Sequence, residues 1–86
     1  MAKYKIYFKE SVKKDFKPIP KINTRKILQK IDSLAEEPRP SGREKLTDRE
    51  NYRIRYGRYR ILYSIQDRDK TVWIIKIAHR KDIYRS

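Results

Sequence analysis

The residues YRIRYGRYRILY, Tyr52 to Tyr63, decide the fold. Tyrosine or isoleucine alternates with arginine on the N-terminal side of Gly57-Arg58, and the alternation resumes after it. A period of two is the mark of a half-buried β-strand. Two runs separated by two residues, with glycine first, predict a hairpin closed by a type II′ turn. The turn sets the register: Tyr56 opposite Tyr59, Arg55 opposite Arg60, Ile54 opposite Ile61, Arg53 opposite Leu62, and Tyr52 opposite Tyr63. One face of the hairpin then carries Tyr52, Ile54, Tyr56, Tyr59, Ile61 and Tyr63. The other carries Arg53, Arg55 and Arg60.

Downstream, Asp67-Arg68-Asp69 reads as a loop and TVWIIKIAHR, Thr71 to Arg80, as a last strand antiparallel to the second hairpin strand. Two registers are open to it. One places Trp73, Ile75 and Ile77 with Ile61 in the core and Lys76 and Arg80 on the arginine face. The other buries Lys76. An unpaired ammonium is far costlier to bury than part of an isoleucine is to expose, so the first register is expected.

Upstream, PRPSGREKLTDREN, Pro38 to Asn51, is loop-like, with a short extended piece near Leu46. Before it, Ile27, Leu28, Ile31, Leu34 and Ala35 form the apolar stripe of a helix. Pro20 can open that helix, where a missing N–H costs little, and Glu36-Glu37-Pro38 closes it. Val12, Phe16 and Ile19 lie on one face of an earlier helix starting at Glu10 and ended by Pro18 and Pro20. At the N-terminus Tyr4, Ile6 and Phe8 alternate with Lys3, Lys5 and Lys9, a half-buried strand. The expectation is one α+β domain over residues 1–86: an antiparallel β-sheet with an N-terminal strand, an α-helical hairpin packed on one face, and a basic face open on the other.

Composition narrows the function. The chain has 86 residues with 24 Lys+Arg against 11 Asp+Glu, a formal net charge of +13. Such an excess points to a polyanion partner, nucleic acid or an acidic protein. There is no cysteine, which excludes disulfides and thiolate metal sites. No apolar run approaches a membrane span, and MAKYKIYFKE lacks the apolar segment of a secretory signal, so a cytoplasmic protein without membrane contact is expected.

The arginine face breaks a local rule. Arg55 opposite Arg60 sets like charges across a strand pair, which destabilises. No acid occurs between Asn51 and Gln66, or between Thr71 and Lys81, to relieve it. A rule broken without local compensation points to function. Arg53, Arg55, Arg60, Lys76 and Arg80 form the expected cluster, with guanidinium forks that suit phosphate oxygens. Long basic side chains can also simply cover an exposed sheet face.

The segment AHRKDIYRS holds the only histidine, His79, and a tyrosine, Tyr84, flanked by Lys81 and Arg85. Cleaving an RNA phosphodiester needs a base for the 2′-OH, cations at the phosphorane, and an acid for the leaving 5′-oxygen. Arginine supplies only the cations. A phenol in a positive field has its phenolate favoured, and a histidine titrates near neutrality. His79 and Tyr84 are the candidate proton-transfer groups, although the expected register turns His79 away from the arginine face. No paired carboxylates, metal-ligand cluster or glycine-rich phosphate loop is apparent, so neither a metal nor another cofactor is implied.

YRIRYGRYRILYSI followed by VWIIKIAHRKDIY resembles the RelE/ParE superfamily of toxins from type II toxin–antitoxin systems. The order strand, helical hairpin, loop, basic hairpin, strand and HR-x-x-x-Y matches over nearly the whole chain, and the chain is more similar to the RelE branch than to the gyrase-poisoning ParE branch. The resemblance implies a RelE-like fold and a ribosome-dependent, metal-independent mRNA endoribonuclease. Such a toxin cleaves in the A site by 2′-OH attack and so inhibits translation. It implies that Arg60 and Arg80 stabilise the transition-state phosphate, that Tyr84 activates the 2′-OH or stacks on the base, and that Arg53 and Arg55 grip the RNA; Lys76, by its register, and Lys81 and Arg85, beside Tyr84, are the further candidate RNA-binding residues. The partners it implies are the 70S ribosome, mRNA and an acidic RelB-like antitoxin, with the toxin monomeric inside the hetero-complex. As a departure from the family pattern, two residues follow Tyr84 without a C-terminal helix, and a tail that RNA or antitoxin orders is expected.

The best-known members carry lysines where this chain has Arg53 and Arg55. Arginine practically cannot act as acid or base, which leaves the proton donor open and keeps His79 a catalytic candidate. Two other functions stay open: a ParE-like gyrase-inhibiting toxin without nuclease chemistry, and a non-catalytic RNA- or ribosome-binding domain.

Overall fold

The computed structural model describes residues 3–40, 42–46 and 51–79. In chain order the elements are β1 (Lys5–Phe8), α1 (Glu10–Phe16), α2 (Lys21–Ser33), β2 (Glu44–Lys45), β3 (Asn51–Tyr56), β4 (Tyr59–Gln66) and β5 (Thr71–His79). The strands form one five-stranded sheet in the order β1-β5-β4-β3-β2. The β2-β3, β3-β4 and β4-β5 pairs are antiparallel, while β1 joins parallel to β5, so the sheet is mixed.

The hairpin forms in the expected register, with Arg55 opposite Arg60 and Tyr52 opposite Tyr63. Gly57 sits at φ 57° while Arg58 keeps a negative φ, so only the first turn position needs the conformation that glycine tolerates. The alternation then sorts the side chains. Tyr52, Ile54, Ile61, Tyr63 and Ile65 are buried on one face, together with Val12, Ile19, Ile27, Ile31 and Leu34 from the helical side. Pro18 and Pro20 break the helices as expected, and Pro20 is the N-cap of α2. Leu28, expected in the apolar stripe, is 38% exposed, because Ile27, Ile31 and Leu34 already fill the contact with the sheet.

The last strand departs from both straight registers. Leu62 pairs with Lys76 but Tyr63 pairs with Ile74, so Ile75 is the extra residue of a β-bulge. Val72 and Ile74 therefore point into the core before the bulge and Ile77 after it. Lys76 faces outward, as expected. Trp73, expected in the core, lies on the outer face, and Ile75 is only half-buried. The physical reason is that no straight strand can bury Val72, Ile74 and Ile77 together, whereas one inserted residue does so and still keeps the Lys76 ammonium in water.

Two further contacts tie the chain together. The Tyr63 hydroxyl donates to the Pro38 carbonyl at 2.8 Å, anchoring the loop after α2. Burial pushes its pKa up to about 12. Arg39 binds Asp67 through two guanidinium nitrogens at 3.2 and 2.8 Å, and Tyr4 donates to the same carboxylate at 2.7 Å.

Candidate nucleic-acid interface

The outer face of the sheet is built by the residues that the alternation turns away from the core. Arg53 and Arg55 come from β3, Arg60 from β4 and Lys76 from β5. Arg60 lies between Arg55 on one side and Ala78 on the other. It is 5% exposed, the one buried charged residue among those described. Among the described residues no carboxylate forms a salt bridge with it. Its hydrogen bond is a long one, from Nη1 to the Tyr59 carbonyl at 3.4 Å. A guanidinium fixed on a central strand is pre-positioned for an anion, and such pre-organisation is what stabilises charge that develops in a reaction.

The rest of the cluster is less free than the sequence implies. Glu44 of β2 stands directly opposite Arg53, with its Oε2 3.0 Å from the guanidinium. Asp15 of α1 reaches Lys76 at 3.4 Å. Neither acid falls inside the two strand windows, and each arrives by long-range packing. Glu44 is readable in hindsight, because the short extended piece near Leu46 could only pair beside β3. Asp15 carries no such signal: it caps the Ile77 amide at 3.1 Å on the edge of β5 that β1 leaves bare beyond Ile74.

The field on this face is visible through Glu44. The hydrogen bond from Arg53 holds its carboxyl below the usual carboxylate range, and Arg55 and Arg60 add to the effect through space. The Arg53 Nε is buried with no hydrogen-bond partner, which leaves that side chain a donor to spare.

His79 is not on this face. It pairs with Tyr59, whose side chain packs against the core, and the two rings meet edge to face at 5.6 Å. Its side chain belongs to the helical side of the sheet, near an open groove of about 300 Å³ beside Asp15 and Ile19. The strand register that presents Arg60 outward turns His79 to the other face of the sheet, as the sequence led one to expect. Arg80, Lys81, Tyr84 and Arg85 lie outside the described residues. Among the described residues no group of three or more His, Asp or Glu is placed to hold a metal ion, and no helix is long and apolar enough to cross a membrane.

Comparison with known proteins adds the following. Residues 6–84 match the model of the family described as the ParE toxin of type II toxin–antitoxin systems. The sequence is 32% identical to the putative toxin RelE1 of Methanocaldococcus jannaschii, over 98% of each chain. It is 33% identical to toxin RelG of Mycobacterium tuberculosis, over 95% of this chain and 97% of that one. Among solved structures, the archaeal RelE–RelB complex from Pyrococcus horikoshii contains a chain that superposes with a TM-score of 0.82 at 32% identity, covering 93% of this chain and 97% of that one.

Proposed function

We propose, from the premise that this chain belongs to the RelE/ParE superfamily of type II toxin–antitoxin toxins and is RelE-like, that it is a ribosome-dependent endoribonuclease acting on mRNA in the A site. The observation that carries the reading is Arg60, a guanidinium on the central strand, 5% exposed and without a carboxylate partner among the described residues. In the proposed reaction the 2′-oxygen bonds to phosphorus and the bond to the 5′-oxygen breaks. A proton leaves the 2′-OH, and the departing 5′-oxygen takes one from water. Arg60 and Arg80 hold the charge of the phosphorane. Tyr84 takes the 2′-OH proton in the field of its basic neighbours. Arg53, Arg55, Lys76, Lys81 and Arg85 hold the backbone. The reaction needs no metal, and the ribosome presents the message.

The partner in the cell is an acidic, RelB-like antitoxin, as supported by the complex that the Pyrococcus relative forms with RelB. Its charge complements the +13 of this chain. A cytoplasmic location follows from the ribosomal target.

The test is primer extension on a translated message after expression of the wild type or of an Arg60→Ala/Tyr84→Phe double variant. Cuts in register with codons for the wild type, absent for the variant, are expected. The family description as a ParE toxin favours a second reading, inhibition of gyrase without nuclease chemistry. Growth arrest without cuts would establish that one instead.

A further inference from the structure

The cleavage reading leaves one end of the outer face unused. There, Tyr7 of β1 and Trp73 of β5 stand opposite each other in the parallel pair, with rings stacked at 5.0 Å and 26° between planes. They are 41% and 37% exposed. Single exposed apolar side chains are ordinary, but a stacked aromatic pair on the face that also carries the arginine cluster is not a scatter of singles.

The bulge at Ile75 puts Trp73 there. Without it, Trp73 would share the side of Ile77 and lie in the core. Bulges next to functional sites commonly re-aim a side chain. Beside Trp73 on β4 is Ser64, and beyond it on β3 is Asn51. Both are short and polar. A planar ring laid against the β4 side of Trp73 would meet no large side chain at those two positions, and its edge would find a hydroxyl and an amide. Ser64 lies four residues from Arg60 on the same strand and face, about 13 Å along it, so one strand of a few nucleotides can touch both.

Charge selects the occupant. The described outer face holds Lys5, Arg53, Arg55, Arg60 and Lys76, and its one strand acid, Glu44, is engaged with Arg53. Aromatic rings bordered by cations on a sheet hold single-stranded nucleic acid by stacking its bases while the cations track its phosphates.

We propose that Tyr7 and Trp73 form a base-stacking platform that holds the single-stranded RNA extending from the phosphate bound at Arg60. The inference rests on the RNA reading above. It deepens that reading by adding a second contact site, for a base, away from the reacting phosphate.

Trp73 is the only tryptophan of the chain, so its emission reports on the platform directly. The full chain is titrated with a short RNA carrying 2′-O-methyl sugars, which cannot be cut. Anisotropy of a labelled copy gives affinity, and tryptophan emission is followed with an unlabelled one. Quenching of Trp73 along the binding curve is expected. Trp73→Leu should weaken affinity about tenfold and Trp73→Phe should restore most of it. The slope of affinity against salt should stay the same, since no phosphate contact is lost. Thermal melts of both variants check folding, and Tyr7→Leu, at the strand edge, serves as an independent variant with the same expected direction.

RNA binding that Arg60→Ala weakens, with Trp73 emission and Trp73→Leu affinity unchanged, overturns the platform and leaves the RNA reading standing. An unchanged RNA affinity with a weakened antitoxin complex assigns the patch to the protein partner and also overturns it. A wild type that neither binds this RNA nor cuts message on programmed ribosomes overturns both.

Discussion

The carboxylate of Glu44 lies 3.0 Å from the guanidinium of Arg53, directly across the β2–β3 pair and at the border of the arginine cluster. A phosphate approaching Arg53 must compete with it. Glu44→Gln removes the competitor and keeps the shape. The expected result is an RNA affinity about threefold higher at low salt, the scale of an exposed ion pair, with the gain shrinking as salt rises. Anisotropy titrations at two salt concentrations check it, and an affinity that falls would mean that the pair positions Arg53 instead of restraining it.

Asp15 joins α1 to the bare edge of β5 by accepting from the Ile77 amide at 3.1 Å while pairing with Lys76. Asp15→Ala leaves that amide without its acceptor and is expected to cost about 1–3 kcal/mol in urea unfolding. Asp15→Asn keeps an acceptor and should cost clearly less. Equal losses for the two variants would show that charge, not the hydrogen bond, carries the contact.

Tyr63 predicts an alkaline signature. Its folded pKa, pushed up to about 12 by burial, lies above the ordinary tyrosine value. The protonated phenol therefore contributes stability that is fully present below about pH 10 and is lost as pH rises toward its folded pKa. Phenolate absorbance should show one tyrosine titrating at about 12, and Tyr63→Phe should abolish that step. A titration without a late step would contradict the burial of the ring.

Asp67 predicts the opposite dependence. Hydrogen bonds from Arg39 and then Tyr4 hold its carboxyl below the usual value. A depressed folded pKa gives stability that is present above the ordinary carboxylate value and lost as pH falls through the lowered one. Wild type and Asp67→Asn are expected to differ modestly in unfolding midpoint at neutral pH, because the group is solvent-exposed, and to converge as acid protonates the carboxyl. A gap that persists in acid would mean that Asp67 acts through something other than its charge.

The hairpin was legible from Tyr52–Tyr63 alone, down to each facing pair, because a two-residue turn and a period of two leave one register. The prolines at 18 and 20 marked the helix break for the same kind of local reason. Trp73 was not legible. In VWIIKI the apolar residues do not alternate, and a straight strand offers only two choices, both wrong for part of the run. The shared outer face of Arg53, Arg55, Arg60 and Lys76 was readable, but its restraint by Glu44 and Asp15 was not, since those acids are 9 and 61 positions away along the chain from the cations they meet.

By itself the sequence determined what depends on neighbours along the chain: the element order, the hairpin register, the separation of an apolar from a cationic face, and the outward course of Arg53, Arg55 and Arg60. The tertiary structure decided what depends on packing between distant segments. It set the bulge that turns Trp73 out beside Tyr7 and the carboxylates that hold two of the cations. The physical reason is that backbone period and turn geometry act over a few residues. A bulge and an ion pair are instead settled by which arrangement buries the most apolar surface while leaving each charge wet or partnered, and that balance exists only once the whole sheet and both helices are in place.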